Sequence, residues 1–280
     1  MSHLCLSMWS FALEFQRRNM DIERFLNVCR DLQVDCVELV DHFWIPVGQP
    51  LHLLTDCGLC VCAYDIASDF VHLAPASRHQ QLELAYASVE EAMRIGAEMV
   101  RLLPGRMKEG IADEDALQMV VEAVSSVARY AHKAGIRVVL EPHGDVVNSA
   151  ETLRYVHQQV HSSAFGVSAD LCTFLLSGLD PVRECAAIAD ICALVHLNNL
   201  RRVHRGYPGY LYYSTTGETY AGTGVCDGEI DIRRCIEALV AGGFRGISSV
   251  ECLSMSETLS GVRQSLDDVR AILQEVRDRE

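Results

Sequence analysis

The sequence lacks most of the signatures that would assign a function at sight. No Gly-x-Gly-x-x-Gly follows the first strand-like segment and no Walker A motif occurs, which argues against a dinucleotide-binding or P-loop fold. No apolar stretch reaches the roughly 18 residues of a membrane span. Basic residues are scarce: 24 Lys and Arg against 38 Asp and Glu leave a formal charge of −14. Phosphate backbones and anionic membranes are bound through clustered Lys and Arg, so neither nucleic acid nor a membrane is an expected partner. Linkers, low-complexity segments and composition breaks are missing too, and residues 1–280 are expected to form a single domain. The opening, residues 1–15, is apolar but has no cationic leader and is broken by Ser7 and Ser10. It reads as a first strand, spanning residues 3–9, rather than a signal peptide.

Cysteine is plentiful, at 12 residues, but not in a metal-finger or disulfide-scaffold pattern. Cys57-x-x-Cys60 has no second pair at zinc-finger spacing. Most of the others fall inside apolar runs, where free Cys packs as a small hydrophobe. The cysteines are therefore expected to be reduced and the protein cytoplasmic.

Short apolar runs bounded by turn signals recur along the chain and alternate with helical spacing. Runs of this kind read as strands buried on both faces. Helices are expected near residues 21–33, 75–95, 113–134, 149–159, 180–190, 230–241 and 257–279. Pro75 and Pro181 stand at helix starts, and Gly96 and Gly135 at helix ends. Eight strands alternating with helices in about 250 residues favour a closed α/β barrel, a (β/α)8 TIM barrel, over an open doubly wound sheet.

Four of the runs end in side chains that bind metals. They are Val138-Val139-Leu140-Glu141, Phe165-Gly166-Val167-Ser168-Ala169-Asp170, Ala193-Leu194-Val195-His196 and Ile247-Ser248-Ser249-Val250-Glu251. In such a barrel the active site lies at the carboxyl ends of the strands, and neighbouring strands are roughly 5 Å apart. Glu141, Asp170, His196 and Glu251 can then meet at one point. Three carboxylates and an imidazole form a hard, oxygen-rich set that suits one divalent ion. Mn2+ is the foremost choice, Mg2+, Co2+ or Fe2+ are alternatives, and Zn2+ is less suited. An ion with two coordination positions left open could hold a hydroxyl and a neighbouring carbonyl, acidifying the C–H between them. Flanking carboxylates could then exchange that proton.

At these residues the chain resembles the xylose isomerase-like barrels, a family of sugar and sugar-phosphate isomerases and epimerases. The likeness covers nearly the whole sequence. It is carried by Leu140-Glu141-Pro142-His143, Ser168-Ala169-Asp170, Val195-His196-Leu197-Asn198-Asn199, Gly222-Thr223-Gly224, Gly228-Glu229-Ile230-Asp231 and Ser249-Val250-Glu251. The resemblance implies that Glu141, Asp170, His196 and Glu251 bind the ion. It also implies that Glu141 and Glu251 double as the acid–base pair on a small carbohydrate-like substrate. Two family features are missing. Thr173 stands where many keto-sugar epimerases have His, and Asn198-Asn199 where a Lys-Asp often follows the strand-seven motif. Other members are dehydratases acting on polyols, dehydroshikimate-like rings or oxo-glycosides, so a metal-dependent lyase is the alternative reading. An abasic-site nuclease of related fold would need more His ligands and less negative charge, and a non-catalytic binding barrel would not need the ligand set.

His143, two residues past Glu141, shares its inward face and is a candidate acid–base partner or a hydrogen-bonded structural histidine. Glu38 at the end of the second strand, Arg101 interrupting the fourth and Arg202 six residues past His196 are candidate substrate contacts. For Arg101 the competing expectation is an ion pair with a ligand carboxylate. The stretch 200–229 reads as a long loop rich in Tyr (Tyr207, Tyr210, Tyr212, Tyr213, Tyr220). Loops of this length are commonly functional, so it is expected to cover the metal, or else to form the contact of a homo-oligomer.

Overall fold

A computed structural model describes residues 4–44, 51–254 and 258–278. Eight parallel strands close into a barrel: β1 (Leu4–Ser7), β2 (Cys36–Val40), β3 (Cys60–Asp65), β4 (Met99–Leu102), β5 (Arg137–Leu140), β6 (Phe165–Asp170), β7 (Cys192–Leu197) and β11 (Ile247–Val250). They pair in sequence order from β1 to β7, then β7 pairs with β11, and β11 pairs back with β1. Helices cover the outside, the longest being Pro75–Ile95, Asp113–Ala134 and Thr258–Arg277. The two longest helix ends expected at glycine are found there: Gly96 and Gly135 adopt φ of 70° and 72°, a left-handed conformation that costs glycine little.

The inside of the barrel is built in two storeys by the two-residue alternation of strand side chains. The lower storey is apolar and contains Cys5, Cys36, Ala63, Met99, Val139, Leu194 and Ile247. Two residues further along the same strands stand Ser7, Glu38, Asp65, Arg101, Glu141, His196 and Ser249, all buried. The eighth strand, β6, adds Ser168 and Asp170 to the polar storey. A dry plug therefore seals the bottom of the barrel and a buried polar layer lies over it, at the carboxyl ends of the strands.

Three expectations need correction. Cys36 and Cys60 are paired in a disulfide, not free. They are 24 residues apart in sequence but are register partners on the adjacent strands β2 and β3. Spacing along the chain cannot reveal such a pair, because strand pairing alone brings them together. The premise of wholly reduced cysteines fails for this pair, although ten others, Cys5 to Cys252, are free. The stretch 200–229, expected as a loop without structure, contains a three-stranded antiparallel sheet. Its strands are β8 (Leu200–Arg202), β9 (Tyr212–Tyr213) and β10 (Thr219–Gly222), with β10 in the middle. Arg and Tyr pair across it, Tyr220 opposite Arg202 and Tyr212, and such cross-strand pairs stabilise short sheets. The first strand is shorter than expected. It ends at Ser7, whose side chain caps a 3-10 turn over Met8–Phe11, and His3 lies outside the described residues. No helix among the described residues is long and apolar enough to cross a membrane.

Barrel closure leaves no space at Gly246, just ahead of β11. A Cβ there would run into the backbone of Ala193 at the edge of β7. Gly246→Ala should lower unfolding free energy by about 1–3 kcal/mol, read from chemical denaturation, because the two strands must separate to admit it. An unchanged midpoint would mean that the closing strand tolerates displacement.

Candidate metal centre

The site is organised around the His196 imidazole, which projects from β7 into the polar storey and is 1% exposed. Its two nitrogens have different surroundings. Nε2 lies 2.8 Å from Glu38 Oε1. Nδ1 faces three carboxylates, Glu141 Oε2 at 2.7 Å, Asp170 Oδ2 at 3.7 Å and Glu251 Oε1 at 3.8 Å. The three carboxylates expected as ligands thus converge on one side of the fourth, the His196 ring. Ligand atoms of Glu141, Asp170 and His196 lie within 4.8 Å of one another, as do those of His196, Glu251, Glu38 and Asp65.

Every carboxylate but that of Glu141 is hydrogen-bonded from behind. Ser249 Oγ donates to Glu38 Oε2 at 2.5 Å, and Ser7 Oγ to Glu251 Oε1 at 3.3 Å. Asn198 Nδ2 bridges Asp170 Oδ2 at 2.7 Å and Glu251 Oε2 at 3.2 Å, while its carbonyl oxygen accepts the Cys172 N–H. The Thr173 N–H donates to Asp170 Oδ1, so Asp170 also caps the helix Leu171–Leu176. Arg101 Nη2 donates to Asp65 Oδ2 at 2.9 Å, and its Nε lies 3.4 Å from Glu141 Oε2.

The residues fit a cation. Five buried carboxylates (Glu38, Asp65, Glu141, Asp170 and Glu251) share this space with two basic side chains, Arg101 and His196. Buried charge of one sign in such excess is costly without a counter-ion. Glu141 Oε2 and His196 Nδ1 are both buried and in close contact, yet among the described residues neither has a properly aligned hydrogen bond. Two adjacent orphans of this kind are the arrangement expected of ligands that share an ion. Glu38 supplies the second feature of such a site, a carboxylate on the far nitrogen that orients the imidazole and raises its basicity.

The charge imbalance shifts the proton affinities of the buried groups. Burial, together with Glu38, Asp170 and Glu141, pushes the Glu251 carboxyl up to about 7 against the pull of His196. Burial also holds Asp65 well above the usual carboxylate range despite Arg101. Burial would raise Glu38 as well, but His196, Ser249 and Arg101 bring it down to about 2. Burial opposes the His196 charge, yet Glu251, Glu38 and Glu141 raise its pKa well above the ordinary value.

The remaining expected residues fall in different places. His143 is half-buried beside the cluster, its backbone N–H paired with Val147 O, and burial depresses its pKa despite Glu141 and Asp170. Glu38 is completely buried behind His196, with one oxygen on the His196 ring and the other accepting from Ser249. Arg101 is likewise buried and taken by Asp65 and Glu141, which is the ion-pair alternative. Arg202 lies on the small sheet, 59% exposed, paired with Glu218 and set over the Tyr220 ring. Sequence reading missed Asp65, Ser7, Ser249 and Asn198. The first three were accessible through the two-residue alternation of their strands. Asn198 stands two residues beyond His196 on the same face.

The small sheet is packed against the chain that leaves β11. A Cβ on Gly222 would strike the Leu253 carbonyl, so only glycine lets β10 approach so closely. Tyr212 of β9 is half-buried. Burial and its neighbours Cys172, Tyr210, Glu251 and Asp170 push its phenol up, so the ring is within electrostatic reach of two expected ligands.

The chain matches the model of the xylose isomerase-like TIM barrel family over residues 26–275, and it belongs to that family. No curated protein matches it significantly. Among solved structures it is similar to an L-ribulose 3-epimerase, with TM-score 0.77 and 17% identity, covering all of this chain and 97% of that one. It is equally similar to the IOLI protein with a bound zinc atom, with TM-score 0.77 and 17% identity over 95% of this chain and 97% of that one. It also matches a fusion of a xylose isomerase-like barrel with a 4-hydroxyphenylpyruvate dioxygenase, with TM-score 0.78 and 17% identity, covering 99% of this chain but 43% of the fusion.

Two outcomes follow for the ion. Glu38→Gln keeps the shape but removes the charge behind His196, and Mn2+ affinity in equilibrium dialysis should fall by about 10–100-fold; an unchanged affinity would mean Glu38 does not support the ligand. Protons compete for His196 and Glu251, which both hold them more tightly than usual in the ion-free protein. Mn2+ binding should therefore weaken from about pH 8 to about pH 6, by roughly tenfold per pH unit for each proton displaced. An affinity independent of pH over that range would show that neither group takes part.

Proposed function

We propose that the protein is a divalent-metal-dependent enzyme that isomerises or epimerises a small sugar or keto-sugar by moving a proton on the carbon beside a carbonyl. The observation that carries this reading is the buried excess of carboxylates round one face of His196, at the end of the barrel where such enzymes do their chemistry. The likeness to an L-ribulose 3-epimerase fits it.

Glu141, Asp170, His196 and Glu251 would hold the ion, with Mn2+ preferred for its tolerance of an oxygen-rich set, although a relative carries zinc. The bound cation supplies Lewis acidity, lowering the pKa of the C–H beside a carbonyl. The protein supplies the proton carriers. Glu141 and Glu251 come from β5 and β11, separated by β6 and β7 round the barrel, so they approach a substrate from two directions. One takes the proton and the other returns it on the opposite face, which is what inversion at carbon requires. Arg101 stands beside Glu141, its Nε 3.4 Å from Oε2, while Ser7 and Asn198 fix both oxygens of Glu251. The small sheet lies between β7 and β11 in the chain, and its Tyr212 is within electrostatic reach of Glu251 and Asp170.

The test is exchange of substrate hydrogen with solvent. Metal-loaded protein incubated in D2O with a panel of keto-sugars should place deuterium at the carbon beside the carbonyl of one substrate and of its epimer. Glu251→Gln and Glu141→Gln should each slow this by about 10²–10⁴-fold. Exchange accompanied by loss of water from the product would move the reading to the lyase branch of the family. Exchange unaffected by both substitutions would refute the assignment of the proton carriers.

A further inference from the structure

Beside the metal centre, and outside its ligand set, the same end of the barrel carries a cleft of about 1130 Å³. Four segments border it. The first is the stretch just past β1, which brings Arg17. The second is the small sheet and its turn, which bring Arg201, Tyr207 and Thr223. The third is the chain leaving β11, which brings Ser254. The fourth is the start of the helix Thr258–Arg277, which brings Gln264. Its charge is unusual for a protein of net charge −14, because two guanidiniums line it against one carboxylate, Asp227.

The two arginines are also uncommitted. Arg17 makes no side-chain ion pair or hydrogen bond among the described residues. Arg201 donates to the Tyr207 hydroxyl and lies 5.4 Å from the centre of that ring, with no carboxylate partner. The contrast with its neighbour is informative: on the opposite face of the same strand, Arg202 is engaged by Glu218 and Tyr220. The Tyr207 contact steadies the Arg201 fork while leaving it without a counter-charge, and a steadied, unneutralised guanidinium suits a planar or tetrahedral oxyanion.

The cleft also lies within reach of the ion. Arg201 is three residues past Asn198, which bonds Asp170 and Glu251, and Ser254 is three residues past Glu251. Three extended residues span at most about 11 Å. A substrate whose reacting carbon sits at the ligands could therefore extend an end group into the cleft.

We propose that Arg17 and Arg201 form an oxyanion subsite, and that the substrate of the proposed reaction carries a phosphate or carboxylate at the end remote from the carbonyl. The idea takes its substrate from the proposed function, but the anion rests on the cleft alone.

The probe is inorganic phosphate, titrated into the metal-loaded full chain by calorimetry, with acetate in parallel. One saturable equivalent is expected to bind. Arg17→Gln and Arg201→Gln, both surface changes, should each weaken binding by about tenfold or more, and Arg201→Lys by less, since it keeps the charge and loses the fork. Tighter phosphate than acetate binding would assign a phosphate monoester and the reverse a carboxylate; both support the subsite. Absence of saturable binding by either anion overturns it, as does undiminished binding in the Arg17→Gln, Arg201→Gln double variant. Binding that survives the double variant but disappears when the metal is stripped puts the anion on the ion and also overturns it. Metal content, read separately, distinguishes failure of the subsite from failure of the metal centre.

Discussion

The rest of the structure depends on burying more negative charge than the chain can neutralise. Glu38, Asp65, Glu141, Asp170 and Glu251 are enclosed with only Arg101 and His196 for company. A hydrophobic barrel tolerates such a layer because the apolar storey beneath keeps water out from below and four of the five carboxylates, all but Glu141, are hydrogen-bonded by hydroxyl, amide, backbone or guanidinium groups. Fixing the acids in this way prevents them from turning away from one another, so the repulsion persists as affinity for a cation. The imidazole at the centre is the hinge of the arrangement. Glu38 fixes one nitrogen, and the other is directed at the three expected ligands.

That preorganisation also divides the labour among the acids. Asp170 is bound at both oxygens by Thr173 N–H and Asn198, which suits a fixed ligand. Glu141 Oε2 faces both Arg101 and His196 without an aligned hydrogen bond, and burial with the neighbouring acids holds the Glu251 carboxyl up at about 7. Two acids in contrasting surroundings are what proton transfer in both directions needs.

Much of this was legible in the sequence because barrel strands repeat a two-residue rule. Apolar runs ending in Glu141, Asp170, His196 and Glu251 gave away both the architecture and the convergence of the four side chains. The same rule, pursued further, would have exposed Asp65 two residues past Ala63 and Ser249 two residues past Ile247. What it could not supply is depth. Whether Glu38 or Arg101 faces substrate or a neighbouring acid depends on how far along its strand each sits relative to His196, and register between strands is not written in any single segment. The Cys36–Cys60 bridge stayed hidden for the same reason. The stretch 200–229 misled because glycine, serine and short Tyr pairs resemble loop composition. Its strands of two to four residues are held by one another and by the close approach of Gly222 to Leu253, not by a hydrophobic run.

The family assignment fixes the barrel, while the proposed chemistry depends on a bound ion. The most direct measurement is elemental analysis of the purified chain after incubation with Mn2+ and gel filtration, beside an Asp170→Asn variant of equal stability. About one divalent ion per chain, lost from the variant, is the result expected from four convergent ligands. A chain that holds no ion, or a variant that keeps it, would contradict the claim that the buried acids exist to bind a cation.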